Sequence, residues 1–167
     1  MRYASIRNFD ITNGEGIGIA LFVQGCDFRC DGCFNSSTWD FTSGREWDSK
    51  TEEQFIDLAS KEYVARITIL GGEPMHPANR DSVLLLCRKL KEKYPNKKIW
   101  LYTGYTYETL MNERVNLSDI DILIDGRFEK DLYSYKLKWK GSANQRVIDV
   151  QQTLIGNTIV LRGDNDK

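Results

Sequence analysis

The chain has 167 residues, 41% of them hydrophobic, and its 23 Lys and Arg stand against 24 Asp and Glu for a net charge of −1. That balance lacks the field of a dedicated nucleic-acid binder, and no stretch is long and apolar enough for a signal peptide or a bilayer span, so a cytoplasmic protein with no nucleic-acid or membrane partner is expected. The length suits one domain, residues 1–167, and a core of that size buries roughly 70% of the unfolded surface, so stability alone requires neither a disulfide nor a structural metal.

Ile19 to Val23 is an unbroken apolar run closed by Gly25, the pattern of a strand buried on both faces. Ser49-x-x-Glu52 reads as a capping box opening a helix to about Lys61. Arg66 to Leu70 follows as a strand ending in Gly71-Gly72-Glu73-Pro74, and a helix from about Asn79 to Lys93 places Val83, Leu86, Cys87 and Leu90 on one stripe. Ile99 to Thr103 reads as a strand, Tyr107 to Asn112 as a short helix, and Asp121 to Ile124 as a strand ending in Asp125-Gly126. Val147 to Val150 and Thr158 to Leu161 are expected as edge strands, and Arg162 to Lys167 as a frayed tail. The alternation predicts an α/β fold: a mostly parallel sheet, open or partly closed as an incomplete (β/α) barrel, with helices on the outside.

The unusual residues share one place in that scheme. Cys26 to Cys33, Gly71 to Pro74, Thr103 to Tyr105 and Asp125-Gly126 each follow a strand, and parallel α/β folds place ligands at that rim. In a reducing compartment, three cysteines within eight residues read as metal ligands before disulfides. Cys26-x3-Cys30-x2-Cys33 supplies three thiolates where an iron–sulfur cluster usually takes four, which leaves one coordination position open. Gly25 and Gly32 bracket the loop and tolerate the left-handed backbone needed to wrap a bulky group. The competing readings are a zinc site completed by His76 or Cys87, a disulfide with a spare thiol, and chance clustering; Cys87, on an apolar helix stripe, reads as core. Gly14, Gly16 and Gly18 precede a strand instead of following one, so a dinucleotide loop fails its context.

The cysteine spacing resembles the cluster motif of the radical S-adenosylmethionine superfamily. In that family three cysteines hold a [4Fe–4S] cluster and the cofactor's amino and carboxylate groups chelate the fourth iron. Where the family often has an aromatic residue before the third cysteine, this chain has Gly32, with Phe34 just after. Gly71-Gly72-Glu73-Pro74 resembles the family's segment for the methionyl amino group, and Met75-His76-Pro77 continues the likeness; His76 by itself reads as a surface histidine at a helix start. The resemblance implies Cys26, Cys30 and Cys33 as cluster ligands, and Gly32, Cys33, Phe34, Gly71, Gly72, Glu73, Thr103 and Tyr105 against S-adenosylmethionine.

Further segments narrow the likeness: Asn13-Gly14-x-Gly16, Asn35 with Ser37-Thr38-Trp39, Trp100-x-x-Thr103-Gly104-Tyr105, Asp125-Gly126-x-Phe128 and Gly141-Ser142-x-Asn144-Gln145-Arg146. Together they resemble the glycyl-radical enzyme activases that serve anaerobic ribonucleoside-triphosphate reductases. The resemblance implies one-electron cleavage of S-adenosylmethionine, a glycyl radical made on the large subunit of the reductase, and a flavodoxin or ferredoxin as electron donor. A truncated barrel would leave a side open for the partner's loop. The nearest alternative is an activase for another glycyl-radical enzyme, such as pyruvate formate-lyase; the short chain and the Thr103-Gly104-Tyr105 and Asn144-Gln145-Arg146 segments argue against it. Arg127 to Arg146, with six Lys or Arg, two acidic residues and Tyr133, Tyr135 and Trp139, reads as a solvated face in preference to a docking surface.

Overall fold

A computed structural model describes residues 1–163. In chain order the elements are β1 (Arg2–Asp10), β2 (Gly18–Val23), β3 (Arg45–Glu46), α1 (Ser49–Leu58), β4 (Arg66–Gly71), α2 (Pro77–Lys93), β5 (Lys98–Tyr102), α3 (Tyr107–Asn112), β6 (Ile122–Asp125), β7 (Arg146–Asp149), α4 (Val150–Gly156) and β8 (Val160–Leu161). All eight strands join one sheet in the order β3-β1-β2-β4-β5-β6-β7-β8.

This sheet corrects the expected mostly parallel, incomplete barrel. Only β2–β4, β4–β5 and β5–β6 pair in parallel, while β1–β2, β1–β3, β6–β7 and β7–β8 pair antiparallel. The sheet is therefore mixed, and it ends on β3 and β8 without closing. The βαβ rhythm is real from β2 to β6, where a helix lies between each pair of parallel strands. Outside that stretch, β1 reaches β2, and β6 reaches β7, through connections without an α-helix, which antiparallel pairing permits and parallel pairing does not.

Side-chain alternation gives the sheet two unlike faces. Ile19, Leu21 and Val23 of β2, Ile67 and Ile69 of β4, Ile99 and Leu101 of β5, and Leu123 of β6 form the main core with Phe55 of α1, Leu86 and Leu90 of α2, and Leu110 of α3. The alternate residues Ala20, Phe22 and Leu70, and separately Trp100, Ile122 and Ile124 with Val147, form two smaller clusters on the opposite face. Helices cover the first face; the second is left to line a cavity.

Several boundaries move. Asp48, not Ser49, caps α1, its carboxylate accepting the Thr51 N–H at 2.8 Å. His76 caps α2 through Nδ1, which accepts the Ala78 N–H at 3.1 Å, so this helix starts at Pro77 instead of Asn79, with proline in the first-turn position it favours. Thr103 lies just beyond β5, and Val150 opens α4 instead of ending a strand. Arg162 is held, its N–H donating to the Val147 carbonyl and its guanidinium to Glu15 at 3.0 Å; the rest of the expected tail, residues 164–167, lies outside the described residues. Among the described residues no helix is long and apolar enough to cross a membrane.

Candidate functional site

The cysteine loop leaves the C-terminal end of β2 and is bound back onto the residues that follow it. Gly25 and Cys26 donate their N–H groups to the carbonyls of Thr38 and Trp39 at 2.7 and 3.0 Å. Gly25 and Gly32 take φ of +98° and +71°, and Arg29 between them takes +47°. A side chain at Gly25 would sit 2.1 Å from the Phe41 ring, so glycine is required there both for the dihedral and for the close approach. The curled loop brings Cys26, Cys30 and Cys33 to the wall of one cavity of about 490 Å³.

The sulfurs meet backbone N–H groups. Asn35 donates to Cys33 Sγ at 3.4 Å, the amides of Phe28 and Arg29 reach Cys26, and that of Phe128, from across the cavity, reaches Cys30. Burial pushes the Cys26 and Cys30 thiols above their usual pKa, and the amides work against that shift. Such donors stabilise sulfur-borne charge, and a coordinated metal completes the deprotonation. Three thiols on one wall, amide donors to each and no fourth cysteine alongside fit a cluster held at three of its irons.

Facing the cysteines is the Gly71–Pro74 turn. Gly72 packs so tightly on Gly25 that an added Cβ would lie 2.5 Å from the Gly25 carbonyl oxygen. Glu73, 2% exposed, lines the cavity. Its Oε1 accepts from Thr103 Oγ1 at 2.6 Å and from the Met75 N–H at 2.8 Å, and its Oε2 from the Gly104 N–H at 2.7 Å. Burial raises its pKa to about 7 against those bonds and the charge of Arg80. Oε2 keeps room for a further donor, and a cationic one would restore the carboxylate's charge. The clamp joins the ends of β4 and β5, two of the rims that the sequence singles out.

The remaining expected residues are placed unequally. Cys33, Phe34, Gly71, Gly72, Glu73 and Thr103 line the cavity. Tyr105 lines the neighbouring cleft instead, reaching Thr103 Oγ1 through its N–H at 3.1 Å. Gly32 backs onto the Lys130 stem and the Phe128 ring, 3.2 and 3.6 Å from where its Cβ would be. The two candidates for a fourth zinc ligand are engaged elsewhere: His76 Nε2 lies 3.0 Å from Asp27 Oδ2 while Nδ1 caps α2, and Cys87 is fully buried in the helix-covered core, its thiol pushed up to about 12 by burial. Among the described residues no three His, Cys, Asp or Glu side chains close on a single ion.

Sequence reasoning missed the parts that depend on distant pairing. The Phe28 ring lies 4.2 Å from the Arg127 guanidinium and 4.9 Å from the Tyr105 ring, which pins the Cys26–Cys30 loop to the ends of β5 and β6. Phe28 stands inside the cysteine motif, and that position is its only signal. Thr12, Asn13, Tyr102 and Trp139 also line the cavity, and Tyr102 Oη donates to the Trp139 carbonyl at 2.7 Å.

A sequence profile described as a 4Fe-4S single cluster domain matches residues 12–148. The chain is 40% identical over 147 residues to the anaerobic ribonucleoside-triphosphate reductase-activating protein of Enterobacteria phage T4, covering 88% of this chain and 93% of that relative. Proteins of the same name from Vibrio cholerae (41% over 148 residues, 87% of this chain and 96% of the relative) and Escherichia coli K12 (38% over 150 residues, 88% and 97%) are similarly close.

Proposed function

The chain belongs to the family of anaerobic ribonucleoside-triphosphate reductase-activating proteins, and from that membership we propose that it is a radical S-adenosylmethionine enzyme that installs a glycyl radical on the large subunit of such a reductase. When bound, a [4Fe–4S] cluster with S-adenosylmethionine would supply one-electron cleavage of the sulfonium to methionine and, from the adenosyl part, abstraction of one hydrogen atom from a glycine Cα of the reductase. A flavodoxin or ferredoxin would donate the electron.

The protein's own residues then have distinct tasks. Cys26, Cys30 and Cys33 hold the cluster and leave one position open. Glu73, fixed by Thr103 and the Gly104 amide, receives the cofactor's ammonium group, and Gly71 and Gly72 let the backbone approach it. Phe34 flanks the cofactor directly, Gly32 lets the Lys130 stem and the Phe128 ring close in behind the cysteine loop, and Tyr105 acts one layer behind through Thr103. Phe22, Leu70 and Trp139 present apolar wall to the same cavity, which keeps water from a reactive intermediate.

The observation that carries this reading is the meeting of three thiols and the Glu73 clamp in one cavity. Anaerobic reconstitution followed by iron, sulfide and zinc analysis, then incubation with S-adenosylmethionine and dithionite, tests it. The expected result is brown protein that forms 5′-deoxyadenosine. Stoichiometric zinc without iron, or iron-loaded protein that leaves the cofactor intact, overturns it.

A further inference from the structure

The segment between β6 and β7 lines part of the cavity with Arg127, Phe128, Trp139 and Lys140, and it also carries charged and aromatic groups that face outward. Arg127 to Arg146 holds six Lys or Arg and two acidic residues in a chain whose net charge is −1. Arg146 is neutralised by Asp125 and Glu108, and Lys130 meets Asp31 at 3.4 Å. Lys136, Lys138 and Lys140 enter no ion pair among the described residues; Lys136 and Lys138 lie over the rings of Tyr135 and Trp139 at 6.0 and 4.9 Å.

Beside these cations is an aromatic surface. Tyr135 is 82% exposed, Phe34 67% and Tyr133 50%. The rings of Phe34, Phe128 and Tyr133 touch one another, with centroids 5.1 to 6.4 Å apart. Phe34 and Phe128 also line the cavity, so the cluster of Phe34, Phe128 and Tyr133 reaches its opening, and Tyr135 follows two residues further along the chain. Contiguous exposed aromatic groups edged by unpaired cations are costly as a solvated face and match the centre and rim of a protein interface.

We infer that this patch seats an acidic surface of the reductase beside the glycine that must enter the cavity; the inference rests on the function proposed above. A carrier that only delivers an electron needs proximity to the cluster. A protein whose backbone is the substrate needs a docking face continuous with the opening, and the chain through Phe34 and Phe128 provides one. Electrostatic pairing across the rim would steer the encounter and make affinity salt-dependent.

The test uses reconstituted protein carrying Tyr135→Ala, Lys136→Glu and Lys138→Glu together, all three exposed and none of them lining the cavity, with Lys136→Arg/Lys138→Arg as the conservative control. Cofactor cleavage driven by dithionite without the reductase is expected to be unchanged. Affinity for the reductase, measured anaerobically by calorimetry, is expected to fall about tenfold or more in the triple variant, with a flatter salt dependence, and to survive in the Arg control. A triple variant that binds the reductase like the parent overturns the assignment. So does one that loses only flavodoxin-driven reduction, which gives the patch to the electron carrier. A parent protein that fails to cleave the cofactor with dithionite removes the functional reading, and this inference with it.

Discussion

Glu73 shows how one buried side chain couples the site to stability. Burial lifts its pKa from 4.5 to about 7, so between those values the folded protein keeps a proton that the unfolded chain releases. Stability from this group is complete below about pH 4.5 and is lost as pH rises through 7, a change of about 3 kcal/mol. Urea unfolding of cluster-free protein from pH 5 to 8 should show that loss in the parent and not in Glu73→Gln; parallel pH profiles would contradict it. The cysteines divide by position. Cys30→Ala should abolish iron retention, whereas Cys87→Ala should keep full iron content and cost about 1–3 kcal/mol through a core cavity; loss of iron on changing Cys87 would restore it as a ligand. The three cysteines stood out in the sequence by their spacing, and Glu73 only through the likeness of its Gly71–Pro74 turn to a family segment; the structure sets all four on one cavity. Phe28 and Arg127 did not stand out, since their partnership spans 99 positions and only the folded sheet brings them together.

At the level of elements, strands with strong apolar runs were readable and the polar ones were not. β2 and β4 announced themselves, with every residue from Gly18 to Val23 buried. β1 (Arg2–Asp10) breaks polar/apolar alternation at Tyr3-Ala4 and Arg7-Asn8 and buries only Tyr3 and Asp10, so its sequence gives no strand signal. α4 hides in a sequence whose Val147–Val150 run looks extended, and its start is set by the Asp149 cap at 3.0 Å from the Gln152 N–H. The least legible feature is also a strong restraint. Arg66, at the start of β4, pairs with Asp10 at the end of β1 at 2.7 Å, both side chains 1% exposed, and it also donates to Thr68 Oγ1 at 2.7 Å. An added Cβ on Gly14 would lie 2.8 Å from Arg66, which explains a glycine of the Asn13-Gly14-x-Gly16 segment by packing instead of by a ligand. Arg66→Ala strands the Asp10 carboxylate in the interior and should cost about 3–5 kcal/mol in denaturant unfolding; a cost under about 1 kcal/mol would show that water or relaxation already solvates the pair.

For the molecule as a whole, the alternation of strand and helix brought the four strand-end segments together as expected even though it misjudged the sheet. Only the stretch from β2 to β6 has to be parallel for Cys26, Glu73, Thr103 and Gly126 to meet beyond the strand ends, and that stretch is parallel. The antiparallel flanks change the architecture without moving the rim, because hairpin-type partners add to the sheet edges. One face carries the helices and the other the cavity. The most direct test of the account is electron paramagnetic resonance of the reductase after anaerobic incubation with the reconstituted protein, S-adenosylmethionine and reduced flavodoxin. A glycyl-radical signal that appears with the parent protein and is absent with Cys30→Ala is the predicted result. An iron-loaded, cofactor-cleaving protein that leaves the reductase without that signal, or a signal that persists in Cys30→Ala, would contradict it.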